Sequence, residues 1–243
     1  MLPLYCDPAR LRAERGHPLV LGHRGMPGDR TENRIEAFVG AVNAGADGVE
    51  FDVQLSADGI PVVVHDTRLG RVTGSGRRVT DLTFRELEGF GLYGLEKVLD
   101  EVPAPVVLNI EIKNFSLRSR GIEEAVSGLV KARNAEGRVL FSSFNPLALA
   151  RLNQLDSLFY TAQLTGSGPL EAFRLGYLRH PLAVHPHFRE VTSKRLQAWR
   201  RAGRRIIPWG ANSEEELTAV LGWDIDGIIT DLPAQAAAMC AGG

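Results

Sequence analysis

The chain has 243 residues, of which 44% are hydrophobic and 23% are charged, with a formal net charge of −1. That balance argues against a nucleic-acid-binding surface, which usually shows as a strong basic excess. No window reaches the ~18 apolar residues that a membrane span needs, and the first residues do not resemble a signal peptide. We therefore expect a cytoplasmic protein that neither binds nucleic acid nor inserts stably into a membrane.

Short apolar runs alternate with amphipathic stretches from one end of the chain to the other. In chain order the pattern predicts strand 19–25, helix 34–44, strands 48–55 and 60–66, strand 106–113, helix 121–133, strand 139–144, helix 146–155, strand 158–164, helix 169–175, strand 182–185, helix 192–202, strand 205–209, helix 213–221, strand 227–230 and helix 234–239. Eight of these strands are each followed by a helix or helical turn, and strand 60–66 is an extension of the second unit.

Alternating strands and helices of this number fit a closed (β/α)8 barrel or an open, doubly wound sheet. No G-x-G-x-x-G motif follows the first strand, which weakens the dinucleotide-binding version of the open sheet. Since barrels of this size form one unit, a single domain over residues 1–243 is the simplest interpretation. Two cysteines do not make a disulfide framework, so Cys6 and Cys240 are expected to be free thiols, with a bridge between the chain ends as the alternative if the chain closes into a barrel.

Ionisable residues stand in or after several of the predicted strands, where barrel enzymes place their active sites. Residues two apart in a strand point the same way, so Glu50 and Asp52 share one face, as do Glu111 and Lys113. Three converging carboxylates repel one another unless a cation lies between them, and an all-oxygen set suits Mg²⁺ or Ca²⁺, with Mn²⁺ as an alternative. The structural alternative is a buried ionic network of these carboxylates with Arg24 and Lys113.

Two histidines accompany the carboxylates. His23 ends the first strand and His65 ends the extension, and imidazoles titrate near neutral pH, so that one can act as base and the other as acid. Arg24 and Lys113 add positive charge at the same ends of the predicted strands. A guanidinium and an ammonium beside a divalent cation favour a site for a phosphate diester.

Taken in order, these motifs form a pattern. The segments are L-G-H-R-G (21–25), T-E-N (31–33), G-A-D-G-V-E-F-D-V (45–53), D-G-I-P-V-V-V-H-D (58–66), N-I-E-I-K (109–113), W-G-A-N-S-E-E-E-L (209–217) and D-G-I-I-T-D-L-P (226–233). Over about residues 19–233 the chain resembles the glycerophosphodiester phosphodiesterase family.

That resemblance implies a (β/α)8 TIM barrel with a short insertion after the second strand unit. It also implies metal-dependent hydrolysis of a small-molecule glycerophosphodiester to glycerol 3-phosphate and an alcohol. By motif position it assigns one divalent cation to Glu50, Asp52 and Glu111, acid–base catalysis to His23 and His65, phosphate contacts to Arg24 and Lys113, and part of the pocket wall to Trp209.

The sequence departs from the family pattern in two motifs. The usual P-E-N-T is T-E-N-R here (31–34), where Glu32 is still expected within reach of the metal site, and the usual W-T-V-N is W-G-A-N (209–212). The insertion is short and rich in glycine, which favours an open site and leaves the departing alcohol undefined. Two further histidines, His185 and His187, have either a structural role or a substrate contact.

Three other functions stay open at this point. One is phospholipase D-like cleavage of lysophospholipids to a cyclic phosphate, although no amphipathic segment with a basic face is evident. Another is a non-catalytic binder of a phosphate ligand, which needs no proton carriers. The third is a metal-dependent carbon–carbon enzyme of the enolase or aldolase type, which paired histidines at a phosphate site fit poorly. The oligomeric state is not predicted.

Overall fold

The computed structural model describes residues 5–26, 32–70, 74, 76–114, 116–166 and 182–242. Within them the strands are β1 (Leu19–His23), β2 (Gly48–Leu55), β3 (Pro61–Val63), β4 (Val107–Ile112), β5 (Val139–Ser143), β6 (Tyr160–Thr165), β7 (Ala183–Pro186), β8 (Arg205–Ile206) and β9 (Gly227–Thr230). The α-helices are α1 (Pro8–Arg15), α2 (Ile35–Asn43), α3 (Phe84–Gly89), α4 (Leu95–Glu101), α5 (Ile122–Ala132), α6 (Pro146–Leu155), α7 (Ser193–Arg201), α8 (Glu214–Leu221) and α9 (Pro233–Ala241). The helix predicted over 169–175 lies outside the described residues.

Eight parallel strands form a nearly closed barrel, in the order β8-β7-β6-β5-β4-β2-β1-β9. The circuit is completed by a parallel bridge between Trp209 and Ile229, and Ile229 donates its N–H to the Pro208 carbonyl at 2.9 Å. The pairing of β8 with β7 is interrupted at Pro186, the last residue of β7, because proline has no N–H to donate to the next carbonyl of β8. Strand β8 therefore ends earlier than the predicted 205–209, although Trp209 still donates its N–H to the Pro186 carbonyl at 2.9 Å. The predicted (β/α)8 barrel is confirmed.

The insertion after the second unit begins with a hairpin. Strand β3 pairs antiparallel with β2 through the turn that ends at Gly59, whose φ of +84° favours glycine. Helices α3 and α4 follow, and α3 begins at a reciprocal capping box between Thr83 and Glu86. Among the described residues no helix is long and apolar enough to cross a membrane.

Helix α1 was not predicted, although both of its ends are marked in the sequence. The Asp7 carboxylate accepts the Ala9 N–H at 3.0 Å, and Gly16 ends the helix with a φ of +81°. Cys6, just before this helix, is fully buried in a cluster with Leu21 and Val107 of the barrel interior. Both thiols are free, as predicted.

Side chains of the barrel alternate between the helix layer and the interior, as the two-residue period of a strand requires. Phe51 faces outward and contacts Phe38 of α2, with ring centroids 5.2 Å apart. Facing inward, alternate strands contribute to successive layers. From the strand register, one layer holds His23, Glu111, Leu164 and Trp209, the next below it holds Glu50, Ser142, His185 and Ile229, and the third holds Leu21, Asn109, Ala162 and Ile207.

Candidate active site

Three buried carboxylates converge at the carboxyl ends of β2 and β4. Asp52 and Glu111 are Cα partners in the ladder, and Glu50 precedes Asp52 by two residues on the same face. One oxygen from each carboxylate lies within 4.8 Å of the others, and all three residues are buried. The structure thus brings together the predicted metal ligands from two strands that are far apart in sequence.

Two cations border this cluster, as the alternative of an ionic network predicts. The Lys113 Nζ atom lies 2.9 Å from Asp52 Oδ1 and 2.8 Å from Glu111 Oε1. The Arg24 Nε atom lies 3.6 Å from Asp52 Oδ2, but this guanidinium is shared with Glu32, 3.0 Å from Nη1. Neither contact involves Glu50.

The two cations leave the repulsion between the carboxylates only partly compensated. Burial and the charge of Asp52 raise the pKa of Glu50, and burial also raises the pKa of Glu111 above its ordinary value. Burial acts on Asp52 in the same sense, but the positive charges of Lys113, His65 and Arg24 together outweigh it and hold the pKa of Asp52 low. A cluster of oxygen donors with uncompensated negative charge fits a hard divalent cation.

His23, the last residue of β1, lies between two carboxylates. Its Nδ1 atom is 2.7 Å from Asp231 Oδ1, and its Nε2 atom is 3.9 Å from Glu50 Oε2. Asp231 is itself fixed by Asn212, whose Nδ2 donates to Asp231 Oδ2 at 2.6 Å and whose Oδ1 accepts the Asp231 N–H at 2.9 Å. Burial alone would lower the pKa of His23, but the hydrogen bond to Asp231 and the charge of Glu50 raise it.

His65 follows β3 and has the same kind of partner. Its Nδ1 atom lies 2.8 Å from the Asp66 carboxylate. Burial lowers the pKa of His65 and the charge of Lys113 adds to this, against the opposing charge of Asp52. Each predicted proton carrier therefore uses Nδ1 for a carboxylate and leaves Nε2 for other contacts.

The loop after β1 holds two of the carboxylates through its backbone and through Asn33. The Arg24 N–H donates to Glu50 Oε2 at 3.2 Å, and Asn33 Nδ2 donates to Asp52 Oδ2 at 3.2 Å. Arg24 and Asn33 both have positive φ, 54° and 55°, a backbone region that asparagine tolerates better than most residues. The Glu32 carboxylate accepts hydrogen bonds from the Arg24 guanidinium.

Trp209 lies across the barrel from the carboxylates. Its ring meets His187 edge-on, with centroids 4.6 Å apart, and Phe144 at 6.2 Å. Its Nε1 donates to the Thr165 carbonyl at 3.1 Å. His187 therefore belongs to this aromatic side of the mouth, whereas His185 lies within β7, fully buried at the level of Glu50.

Four polar residues hold the predicted ones in place although the motifs that contain them suggested no role for them: Asn33, Asp66, Asn212 and Asp231. Asp231 directly follows the last strand, so the rule used for the other strand ends applied to it as well. Asp66 adjoins His65 in the sequence. Asn33 carried no such signal, because its amide reaches Asp52 only through the turn after β1.

Comparison with known proteins agrees with this geometry. A sequence model of the glycerophosphoryl diester phosphodiesterase family matches residues 23–235. A glycerophosphodiester phosphodiesterase of Bacillus altitudinis is 34% identical over 89% of this chain and 96% of its own length. The crystal structure of a Thermotoga maritima glycerophosphodiester phosphodiesterase is 31% identical, with a TM-score of 0.75 over 92% of this chain and 98% of that one.

The fold also matches an Oleispira antarctica phosphodiesterase, solved in complex with its product sn-glycerol 3-phosphate, with a TM-score of 0.78 over 93% of this chain and 98% of that one, at 24% identity. Eight parallel strands, a buried carboxylate cluster and the sequence match point to the same group of enzymes. The chain belongs to the glycerophosphoryl diester phosphodiesterase family.

Proposed function

We propose that this chain hydrolyses glycerophosphodiesters to glycerol 3-phosphate and an alcohol, with His23 and His65 as the acid–base pair. The observation that carries the proposal is the pairing of each histidine with its own carboxylate beside one carboxylate cluster. His23 Nε2 lies near Glu50, and His65 is close enough to Asp52 for its charge to act on the imidazole. A binding protein for a phosphate ligand has no need of two oriented proton carriers.

Glu50, Asp52 and Glu111 are the residues that would hold one divalent cation, Mg²⁺ or Ca²⁺, with Mn²⁺ as an alternative. When bound, such a cation would polarise the phosphoryl oxygens of the diester and offset the charge that develops on them. The carboxylates are ordered for this role by the Arg24 N–H and the Asn33 amide.

The remaining residues bind the substrate and move protons. Arg24 and Lys113 border the cluster and contact the non-bridging phosphate oxygens, where a cation stabilises the growing negative charge. One imidazole takes a proton from the attacking hydroxyl, either water or the adjacent glycerol hydroxyl, and the other protonates the leaving alcohol. Attack by the glycerol hydroxyl would give a cyclic phosphate first, which water then opens with the two histidines exchanging roles. Trp209 lines the pocket opposite the charged residues.

Product analysis tests this proposal. Phosphorus NMR of glycerophosphocholine incubated with the purified protein and Mg²⁺ should show glycerol 3-phosphate as the final product, and a separate choline assay should find free choline in equal amount. His23→Asn and His65→Asn should each lower kcat by about 10²- to 10⁴-fold, the usual contribution of a general acid or base. Phosphocholine as product, or a cyclic phosphate that accumulates as the end product of a lysolipid, would contradict the assignment.

A further inference from the structure

The interior of the barrel beneath the carboxylate cluster holds three polar side chains, where barrels of this type usually pack bulky branched ones. Asn109, Ser142 and His185 are each fully buried. Five of their side-chain atoms have no hydrogen-bond partner among the described residues: Asn109 Oδ1 and Nδ2, Ser142 Oγ, and His185 Nδ1 and Nε2. A buried polar group left without a partner costs about 1–3 kcal/mol, so five such atoms together demand an explanation.

The strand register places these three residues in one region. Ser142 and His185 belong to the same layer as Glu50, and Asn109 is the Cα partner of Glu50 on the adjacent strand. The strand between Ser142 and His185 contributes Ala162, the Cα partner of Ser142, to the layer below them and Leu164, the Cα partner of His185, to the layer above. The unpartnered atoms thus adjoin the innermost carboxylate of the candidate metal site.

The chemistry of the three side chains identifies what they bind. An amide and a hydroxyl each donate and accept hydrogen bonds, and so does a neutral imidazole. Burial lowers the pKa of His185 to about 3, which keeps this imidazole uncharged at neutral pH. The three side chains together carry no net charge and therefore do not favour an ion. Their mixture of donors and acceptors suits water, which makes two to four hydrogen bonds in buried sites.

We propose that Asn109, Ser142 and His185 bind ordered water inside the barrel, and that this water holds Glu50 in its ligand orientation from below. Asn109 and Ser142 are then positioning residues that act through water on the carboxylate above them. This role rests on the proposed function, because it concerns the metal ligand Glu50. The water would hold the carboxylate cluster from the inside of the barrel, whereas Arg24 and Asn33 hold it from the loop after β1.

Two substitutions with a matched control test the proposal on the full chain. Asn109→Leu removes the amide at similar volume, and Ser142→Ala removes the hydroxyl. Ser143→Ala is the control, because Ser143 is also buried but faces away from the interior, with Oγ donating to the Ile112 carbonyl at 2.8 Å. The probe is Mn²⁺ alone, titrated into metal-free protein and followed by electron paramagnetic resonance or calorimetry, and urea unfolding of each variant is measured in parallel.

Loss of an outer partner of a metal ligand typically weakens metal affinity about 10- to 100-fold, and we expect a change of this size in N109L and a smaller one in S142A. S143A should keep the wild-type Kd for Mn²⁺ although it loses two hydrogen bonds, one to the Ile112 carbonyl and one from the Asn145 N–H. If N109L and S142A bind Mn²⁺ like the wild type and resist urea better, the layer is dry and without effect on Glu50, and the proposal is wrong.

A high-resolution crystal structure supplies the second readout. Ordered water in contact with at least two of the three side chains is the expected result, and its absence between them would overturn the proposal whatever the metal affinity. A wild-type protein that fails to bind Mn²⁺ would instead overturn the metal site of the proposed function. The two failures are therefore distinguishable, and S142A retains the test if N109L does not fold.

Discussion

Replacing Asp231 with asparagine should slow catalysis without weakening metal binding. The carboxylate lies 2.7 Å from His23 Nδ1, and Asn212 holds it from the other side at 2.6 Å. In the variant the amide oxygen would accept from Asn212, which turns the NH2 group toward His23 Nδ1 and removes the acceptor there. A hydrogen bond to a charged group contributes about 1.5–3 kcal/mol, and its loss leaves the His23 ring free to turn away from the substrate. If the whole of that energy is lost from the transition state, kcat falls by about 10- to 150-fold, since each 1.36 kcal/mol is a factor of ten.

The assay is steady-state release of choline from glycerophosphocholine, with the Kd for Mn²⁺ measured on the same preparations. Asp224→Asn is the matched control: this carboxylate lies on the loop before β9, in exposed ion pairs with Arg12 and Arg200, and its loss should leave kcat unchanged. A D231N protein that keeps more than half of the wild-type kcat would refute the assignment of Asp231. So would a loss of metal affinity that accounts for the slower turnover.

Three further predictions concern other parts of the chain. Asn33→Gly keeps the positive φ but removes the side-chain amide, so the Kd for Mn²⁺ should rise about 10- to 100-fold. The control is Asn134→Gly, at the other asparagine of positive φ (51°), which should leave this Kd unchanged. Equal Mn²⁺ affinities in the two variants would contradict the role of the Asn33 amide. Burial lowers the pKa of His185 to about 3 in the folded protein, whereas a histidine in the unfolded chain has a pKa near 6.5. Between these two pH values only the unfolded chain is protonated at His185, so the free energy of unfolding falls as the pH drops from about 6.5 to about 3. Between pH 7 and pH 4.5 the free energy of unfolding, measured with urea, should therefore fall by about 2–3 kcal/mol less in His185→Gln than in the wild type. An equal fall in both proteins would contradict this prediction. Burial raises the pKa of Cys6 to about 12 and Cys240 is only partly buried, so a thiol reagent should modify Cys240 alone in the native protein; rapid modification of both thiols would contradict the burial of Cys6.

The sequence predicted the barrel and its central residues for one physical reason. Strands of period two and helices of period 3.6 leave different patterns, and ionisable residues such as Glu50 and Glu111 stand out inside otherwise apolar strands. Once the strands are parallel and form a barrel, their carboxyl ends meet, so residues far apart in sequence must come together. The free state of both cysteines follows from similarly general considerations.

Contacts made through turns and across the barrel interior were not predictable in this way. Asn33 reaches Asp52 from a position of positive φ (55°) in the loop after β1, and no periodicity of the sequence encodes such a position. His185 is the last residue of the predicted strand 182–185, but its level beside Glu50 depends on the register of several strand pairs. Register is set by packing around the whole barrel, so a sequence pattern alone does not fix which inward residues share a layer.

The most direct test of the central claim is release of glycerol 3-phosphate from glycerophosphocholine by protein stripped with EDTA, before and after Mg²⁺, Ca²⁺ or Mn²⁺ is restored. We expect no release from the stripped protein and recovery with at least one of these ions, and we expect Glu111→Gln to abolish the recovery. Undiminished release in EDTA would contradict a metal-dependent phosphodiesterase built on Glu50, Asp52 and Glu111.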